Sequence, residues 1–327
     1  MKKAPFSKTS LLSAYRAASL IIFFILLFIV IQLNAEEKKE HTGVEIAFLE
    51  DWCSRYSEGR EVKIKYKPRV RLAFRFTKDG WKKFGNRVSG IKELKQAADR
   101  FKGNRSWFML ERDKPLDSLL SKGVDEYQLY CDVGTQNIVG QVTSTALLPR
   151  TMEFSGWHHC EVRKPIVLVS RKPSKSRDNW VRIKPTYTPD NETVKLINEY
   201  GSQLYSCKDE RDENGSSLKA KISVEMLKTV DEIVSEKGDR LLAVAFRDDA
   251  CVLDNTGDKV SSWYWFSQIG NTRVIFIGEG LKLIDWADYD ADGNSEFIFW
   301  LNGYNLNGYR ILWSKLPRTT TVSWKYH

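Results

Sequence analysis

The sequence predicts a β-rich protein, α+β overall, in which an N-terminal signal or anchor helix precedes a C-terminal antiparallel β meander or propeller-like blades. Three observations carry that expectation. Between residues 61 and 76 apolar and cationic side chains alternate with a period of two, as in a strand with one buried face. From Arg240 onward, short runs rich in β-branched and aromatic residues are separated by Asp, Asn or Gly. Near the start, an unbroken apolar run follows a basic leader. The composition agrees: 16 Phe, 13 Tyr and 11 Trp among 327 residues give ample surface to bury, which excludes a disordered chain. With 28% charged residues and a mean hydropathy of -0.42, a polytopic membrane protein is excluded too.

The leader defines the compartment. Lys2, Lys3, Lys8 and Arg16 precede the apolar run at 17–33, and no acidic residue lies among them. Cations before such a run stay cytoplasmic, so everything after Leu33 is expected outside the cytoplasm. Residues 1–35 read either as a cleaved signal peptide ending at Ala35 or as a retained anchor that ties the chain to the membrane. Outside the cytoplasm, Cys53, Cys131, Cys160, Cys207 and Cys251 meet oxidising conditions, and at least one disulfide is expected. Their pairing is not legible. Setting the four leader cations aside reduces the net charge from +9 to +5. That is not the polycation of a nucleic-acid binder, and nucleic acid is not expected as a partner.

The elements follow in order. Residues 36–207 are expected to form an α+β or β-rich extracytoplasmic region. Residues 44–52 fit a short helix or a strand. In 61–76, Val62, Ile64 and Tyr66 oppose Lys63, Lys65 and Lys67, and Val70, Leu72, Phe74 and Phe76 oppose Arg69, Arg71 and Arg75. Pro68 cannot donate to a central ladder and marks a break or an edge. Lys78-Asp79-Gly80 reads as a turn. Residues 89–101 carry helical spacing. Strands are expected at 106–111, 126–133, within 136–149 and at 166–170, then a long loop over 171–189. Residues 193–205 read as a helix with Val194, Ile197, Tyr200 and Leu204 on one side.

A charged loop and helical connector is expected at 208–239, where 222–234 fits a helix or a strand followed by a helix. Residues 240–327 then form the β-rich end, with strands at 241–246, 250–254, 262–266, 273–277, 296–301 and 309–313. Residues 302–308 supply the last hairpin connection, since Asn and Gly tolerate positive φ.

One motif carries chemistry. In Asp288-Tyr289-Asp290-Ala291-Asp292-Gly293-Asn294-Ser295-Glu296, three carboxylates at alternate positions point into one loop. Without a cation they repel one another. A hard divalent cation takes six to eight oxygens at ~2.3–2.6 Å, which such a loop can wrap. Gly293 supplies the sharp turn, Asn294 its backbone carbonyl, and Glu296 closes the sphere. An EF-hand needs an apolar eighth residue and a carboxylate at the twelfth; Ser295 and Phe299 stand there.

The nine-residue loop followed at once by a strand instead resembles the calcium loop of integrin-like FG-GAP (VCBS) repeats. That resemblance spans about residues 284–313. It implies calcium as the ion, Asp288, Asp290, Asp292, the Asn294 carbonyl and Glu296 as ligands, and a loop joining two strands of one propeller blade. Two departures stand out: the last ligand is Glu where Asp is usual, and the sequence carries one copy.

Other features are weaker. Trp157-His158-His159-Cys160 carries metal-ligating residue types, but adjacent histidines on a strand face opposite ways. The cations at 63–75 and 163–184 suit an anionic envelope polymer if Lys63, Lys65, Arg69 and Arg71 share one exposed face. Trp263, Tyr264 and Trp265 fit either sugar stacking or core packing. No GxSxG, HExxH or phosphate loop is present. The sequence therefore favours a non-enzymatic, calcium-binding envelope module with structural or binding duties toward an anionic polymer or a protein. The alternative is an extracytoplasmic hydrolase braced by calcium.

Overall fold

The structure is a computed structural model that describes residues 43–58, 61–83, 104–111, 114–126, 139–142, 164–172, 177–207, 218–254, 257–270, 274–303, 306–313 and 318–325. The leader and apolar run, the helical spacing at 89–101, the Trp157–Cys160 cluster and the charged loop at 208–217 lie outside them. Among the described residues no helix is long and apolar enough to cross a membrane.

The expected β-rich class is what the structure shows: most of the described residues are strand, arranged in several antiparallel sheets. The strands are β1 (Glu45–Glu58), β2 (Glu61–Thr77), β3 (Gly80–Lys83), β4 (Asn104–Glu111), β5 (Lys114–Glu126), β6 (Val139–Val142), β7 (Ile166–Val169), β8 (Val181–Ile183) and β9 (Tyr205–Ser206). They continue with β10 (Leu227–Val234), β11 (Arg240–Phe246), β12 (Val252–Leu253), β13 (Tyr264–Gln268), β14 (Ile275–Glu279), β15 (Leu281–Ala287), β16 (Glu296–Gly303), β17 (Leu306–Trp313) and β18 (Arg318–Lys325). One α-helix, α1 (Asn191–Tyr200), is described.

Three sheets stack. The N-terminal sheet runs β1-β7-β4-β5-β6-β2-β3, with β2 also paired to β1. A second sheet runs β14-β13-β11-β10-β8, and the C-terminal sheet is the meander β15-β16-β17-β18. The meander is the middle layer, and the period of two on β16 shows why. Ile298 and Trp300 pack with Phe48, Phe74, Trp81 and Val169 of the N-terminal sheet. Phe297, Phe299 and Leu301 pack with Leu241, Ala243 and Trp265 of the five-stranded sheet. A strand buried on both faces reads as an apolar run, which is what 296–301 is. The far face of the five-stranded sheet takes α1 through Leu196 and Ile197. Two consecutive antiparallel meanders thus lie face to face, yet the described residues form no closed propeller.

Residues 43–327 form one compact unit, and the five-stranded sheet runs across the boundaries expected at 208 and 240, with Val234 paired to Arg240. The connector at 222–234 is not helical beyond one 3-10 turn at Val224–Met226; it becomes β10 because Leu227 and Ile233 bury against β11's neighbourhood. Residues 44–52 belong to strand β1, and Pro68 does not break β2. Pro68 lies opposite Asp51 of β1, one residue outside the Arg69–Arg71 stretch of β2 that pairs with β6. Helix α1 begins at Asn191 behind the capping carboxylate of Asp190, which accepts the Thr193 N–H at 2.8 Å. Its buried residues are Thr193, Leu196 and Ile197, whereas Tyr200 is exposed.

The cationic face of β2 also needs correction. A register shift between Ile46 and Ala47 leaves Ala73 as an extra residue and swaps the faces around it. Val70 and Leu72 therefore enter one core and Phe74 the other. Arg71 points into the protein at 1% exposure, where its Nε donates to Glu50 Oε1 at 2.6 Å. The expected exposed array of Lys63, Lys65, Arg69 and Arg71 loses Arg71 to that ion pair. The side chains at 61–69 lie outside the described residues. In the second cationic stretch, Arg182 pairs with Asp231 at 2.9 Å. Trp263, Tyr264 and Trp265 separate likewise: Tyr264 and Trp265 are core residues, and only Trp263 is exposed.

Candidate metal centre

The acidic loop connects β15 and β16, adjacent antiparallel strands of the meander. Local chemistry shapes it. Ala291 and Gly293 both adopt positive φ, 64° and 90°. Gly293 does so freely and also gives room for Arg177, whose Cδ would lie 3.1 Å from any Cβ added there. Ala291 in the left-handed region is strained. Backbone N–H groups then turn inward on the carboxylates. Gly293 donates to Asp288 Oδ2 at 2.9 Å, Asp292 to Asp290 Oδ1 at 3.1 Å, and Tyr289 to Glu296 Oε2 at 2.8 Å.

Asp288, Asp290 and Glu296 are buried, at 1%, 3% and 2% exposure, and each offers an oxygen within 4.8 Å of the others. Two oxygens across an ion at ~2.4 Å stand ~4.8 Å apart, so the spacing fits a shared cation. The donors are all carboxylates, a hard set suited to calcium or magnesium. Of the five expected ligands, these three come together. Asp292 is exposed at the rim, where Oδ1 accepts the Asn294 backbone N–H at 2.7 Å and its side-chain amide at 2.9 Å.

The electrostatics agree with the crowding. Burial pushes the Asp290 carboxyl up to about 7, helped by the charges of Asp292 and Asp288. Burial, then the charge of Asp290, holds Glu296 well above the ordinary carboxylate range. Such a cluster binds a cation or keeps protons.

Sequence reasoning missed the residue that holds the loop in place. Asp178, from the stretch read as a plain loop, accepts the Ser295 N–H and hydroxyl at 2.7 Å each, and Trp180 Nε1 at 2.7 Å. Arg177 donates its N–H to the Gly293 carbonyl at 3.2 Å. Nothing local to 177–180 signals this, because the loop residues it holds, Gly293 and Ser295, lie over a hundred residues away. Below the loop, a bulge between Leu283 and Asp285 turns Asp285 toward Tyr289, whose hydroxyl donates to it at 2.9 Å. Cys207 and Cys251 form a disulfide with Cα atoms 5.2 Å apart, the expected bridge with a pairing the sequence left open.

No family model matches the chain, and neither a curated protein nor a solved structure matches it.

Proposed function

We propose that residues 288–296 hold a calcium ion and that the protein is an exported or membrane-tethered β-rich module of the cell envelope, built around that ion. The observation that carries the reading is the meeting of Asp288, Asp290 and Glu296 inside the protein, three carboxylates with oxygens within 4.8 Å. Buried carboxylates this close repel strongly unless a positive charge is shared among them. The reading is supported by the loop's place between two antiparallel strands and by the stacking of that meander on the one before it. Both features agree with the FG-GAP-like loop, in which Asp292 and the Asn294 carbonyl would complete the sphere.

Export rests on the basic leader and the apolar run at 17–33, and the Cys207–Cys251 pairing supports an oxidising compartment. Calcium outside the cytoplasm suits loops of ~10⁻⁴–10⁻³ M affinity. The role is structural: the ion would fix the loop that joins β15 to β16 and receives the 177–180 segment. A hydrolase with structural calcium is less well supported, because the two buried carboxylates that touch the loop from outside are engaged: Asp178 accepts from three donors and Asp285 from the Tyr289 hydroxyl.

Thermal unfolding of the full chain in millimolar calcium and in chelator tests the reading. Calcium should raise the midpoint by mass action. Asp290→Asn should raise the midpoint in chelator, by removing a repelling charge, and abolish the response to calcium. Equal midpoints for the wild-type chain in both conditions would reject the site.

A further inference from the structure

We propose that the cavity beside the loop binds a neutral sugar ring, and that sugar and calcium strengthen each other's binding; this coupling rests on the calcium reading above. The cavity has a volume of about 310 Å³ and opens between the five-stranded sheet and the meander. Leu241 and Ser267 come from the five-stranded sheet, Phe297 and Leu312 from the facing side of the meander, and Trp180 and Asn294 complete the lining. Its size falls at the low end of the ~300–1,000 Å³ typical of small-molecule sites, enough for one or two pyranose rings.

The polar groups decide the ligand class. Lys237 and Asp239 stand among the lining residues. Lys237 is exposed, and its ammonium has no ion-pair partner among the described residues. Asp239 spends one oxygen on the Gly270 N–H at 2.7 Å and keeps acceptor capacity on the other. Ser267 adds a hydroxyl that both donates and accepts. Asp178 is saturated by Ser295 and Trp180.

An anionic ligand would meet two carboxylates against one ammonium. A cationic ligand would meet Lys237. A purely apolar ligand would cover the Ser267 hydroxyl and the second Asp239 oxygen without offering either a hydrogen bond. A ring with hydroxyls on its edge and C–H groups on its faces uses all of them: donor and acceptors toward the hydroxyls, and Trp180 and Phe297, which pack edge to face, toward the C–H groups.

The cavity is built on the same segment that holds the calcium loop. Asn294 and Ser295 are both loop residues and wall residues. The Asp178 carboxylate takes Ser295, while its carbonyl accepts the Glu236 N–H at 3.3 Å, next to Lys237. Asn179 Nδ2 adds a bond to Glu236 Oε1 at 2.7 Å. An ion that orders the loop therefore orders the wall and the turn that carries Lys237. Such coupling is reciprocal, and an effect of ~5–150-fold is the usual range.

The test is saturation-transfer NMR with glucose, mannose, galactose and N-acetylglucosamine, followed by titration of the full chain in calcium and in chelator. Glucuronate, glucosamine and glycine serve as charged controls, and calorimetry on the same samples follows calcium itself. At least one neutral sugar should bind, roughly tenfold more weakly in chelator. Ser267→Trp should block the cavity and abolish binding. Lys237→Met, at an exposed position that leaves the fold intact, should weaken it about tenfold. Failure of all neutral sugars while calcium binds would overturn the sugar site and leave the calcium reading standing. So would binding of the charged controls alone, or unchanged binding in Ser267→Trp. Sugar binding that Ser267→Trp blocks, in a chain that takes up no calcium, would keep the cavity assignment and overturn the coupling and the ion together.

Discussion

Ser295 gives both its backbone N–H and its hydroxyl to the Asp178 carboxylate, each at 2.7 Å, across 117 residues of sequence. The acidic loop is therefore not a free hairpin connection. Its last turn is fastened to a segment that comes from before α1. Asp178 is 7% exposed, so these bonds form away from water and to a charged acceptor.

Asp178→Ala removes that acceptor and leaves the Ser295 N–H and the Trp180 indole N–H without it. A lost hydrogen bond to a charged group costs ~1.5–3 kcal/mol, and bonds sharing one carboxylate are not additive, so a loss of roughly 2–4 kcal/mol is expected. Asp178→Asn should recover part of it, because one amide oxygen still accepts. Urea unfolding of the three chains is the measurement. Equal stability of Asp178→Ala and wild type would mean that the fastening adds nothing.

A second long-range tie joins the N-terminal sheet to the meander. Glu50 accepts from Arg71 at 2.6 Å and from the Tyr309 hydroxyl at 2.8 Å, while the Tyr309 ring stacks on Phe48 at 3.5 Å. Arg71→Met should cost roughly 3–5 kcal/mol, because it strands the Glu50 charge in the interior. Adding Glu50→Gln should restore much of that loss, since the stranded charge is then gone. A double variant no more stable than Arg71→Met would contradict the electrostatic account.

The acidic loop was legible because its information is local: alternate carboxylates, Gly293 and a following strand lie within nine residues. Strands β11, β13, β14, β16 and β17 were legible for the same reason, since apolar runs alternate with turn residues. Other parts resisted. β15 carries a bulge at residue 284 that breaks its period, and β18 is a Thr-rich strand whose sheet partner supplies what its own pattern does not. Arg71 looked solvent-facing because alternation alone assigns a face, whereas the shift opposite Ala73 and the acid at Glu50 decide it. Asp178 was invisible because its role depends on Ser295 and Trp180 meeting it in space.

The disulfide gives a prediction about the compartment. Cys207 and Cys251 are 44 residues apart, a separation for which loop-closure entropy gives a stabilisation of about 4 kcal/mol. Cys251→Ala should lower stability toward that amount in non-reducing buffer and make the chain insensitive to reductant at this bridge. Thiol titration of the denatured wild-type chain should find fewer reactive cysteines before reduction than after. Equal counts before and after would show that the bridge does not form.

The response to pH separates protons from calcium as the positive charge in the loop. Asp290 titrates near 7 in the folded chain, chiefly through burial, against an ordinary value of 3.8 in the unfolded one. Between those values the folded chain binds more protons than the unfolded chain, so without calcium its stability must fall as pH rises from about 4 to 7. In chelator the melting temperature should therefore be higher at pH 5.5 than at pH 7.5, as far as this group governs it. Calcium reverses the preference, because it binds the ionised carboxylates and competes with the protons. The increment in melting temperature from calcium should be largest at pH 7.5 and shrink toward pH 5.5. In Asp290→Asn the chelated protein should lose this residue's part of the pH slope, keeping the part that the buried Glu296 contributes, and the calcium increment should vanish. An increment independent of pH would place the bound calcium at some other group, since no ion held by Asp290 and Glu296 escapes competition with their protons.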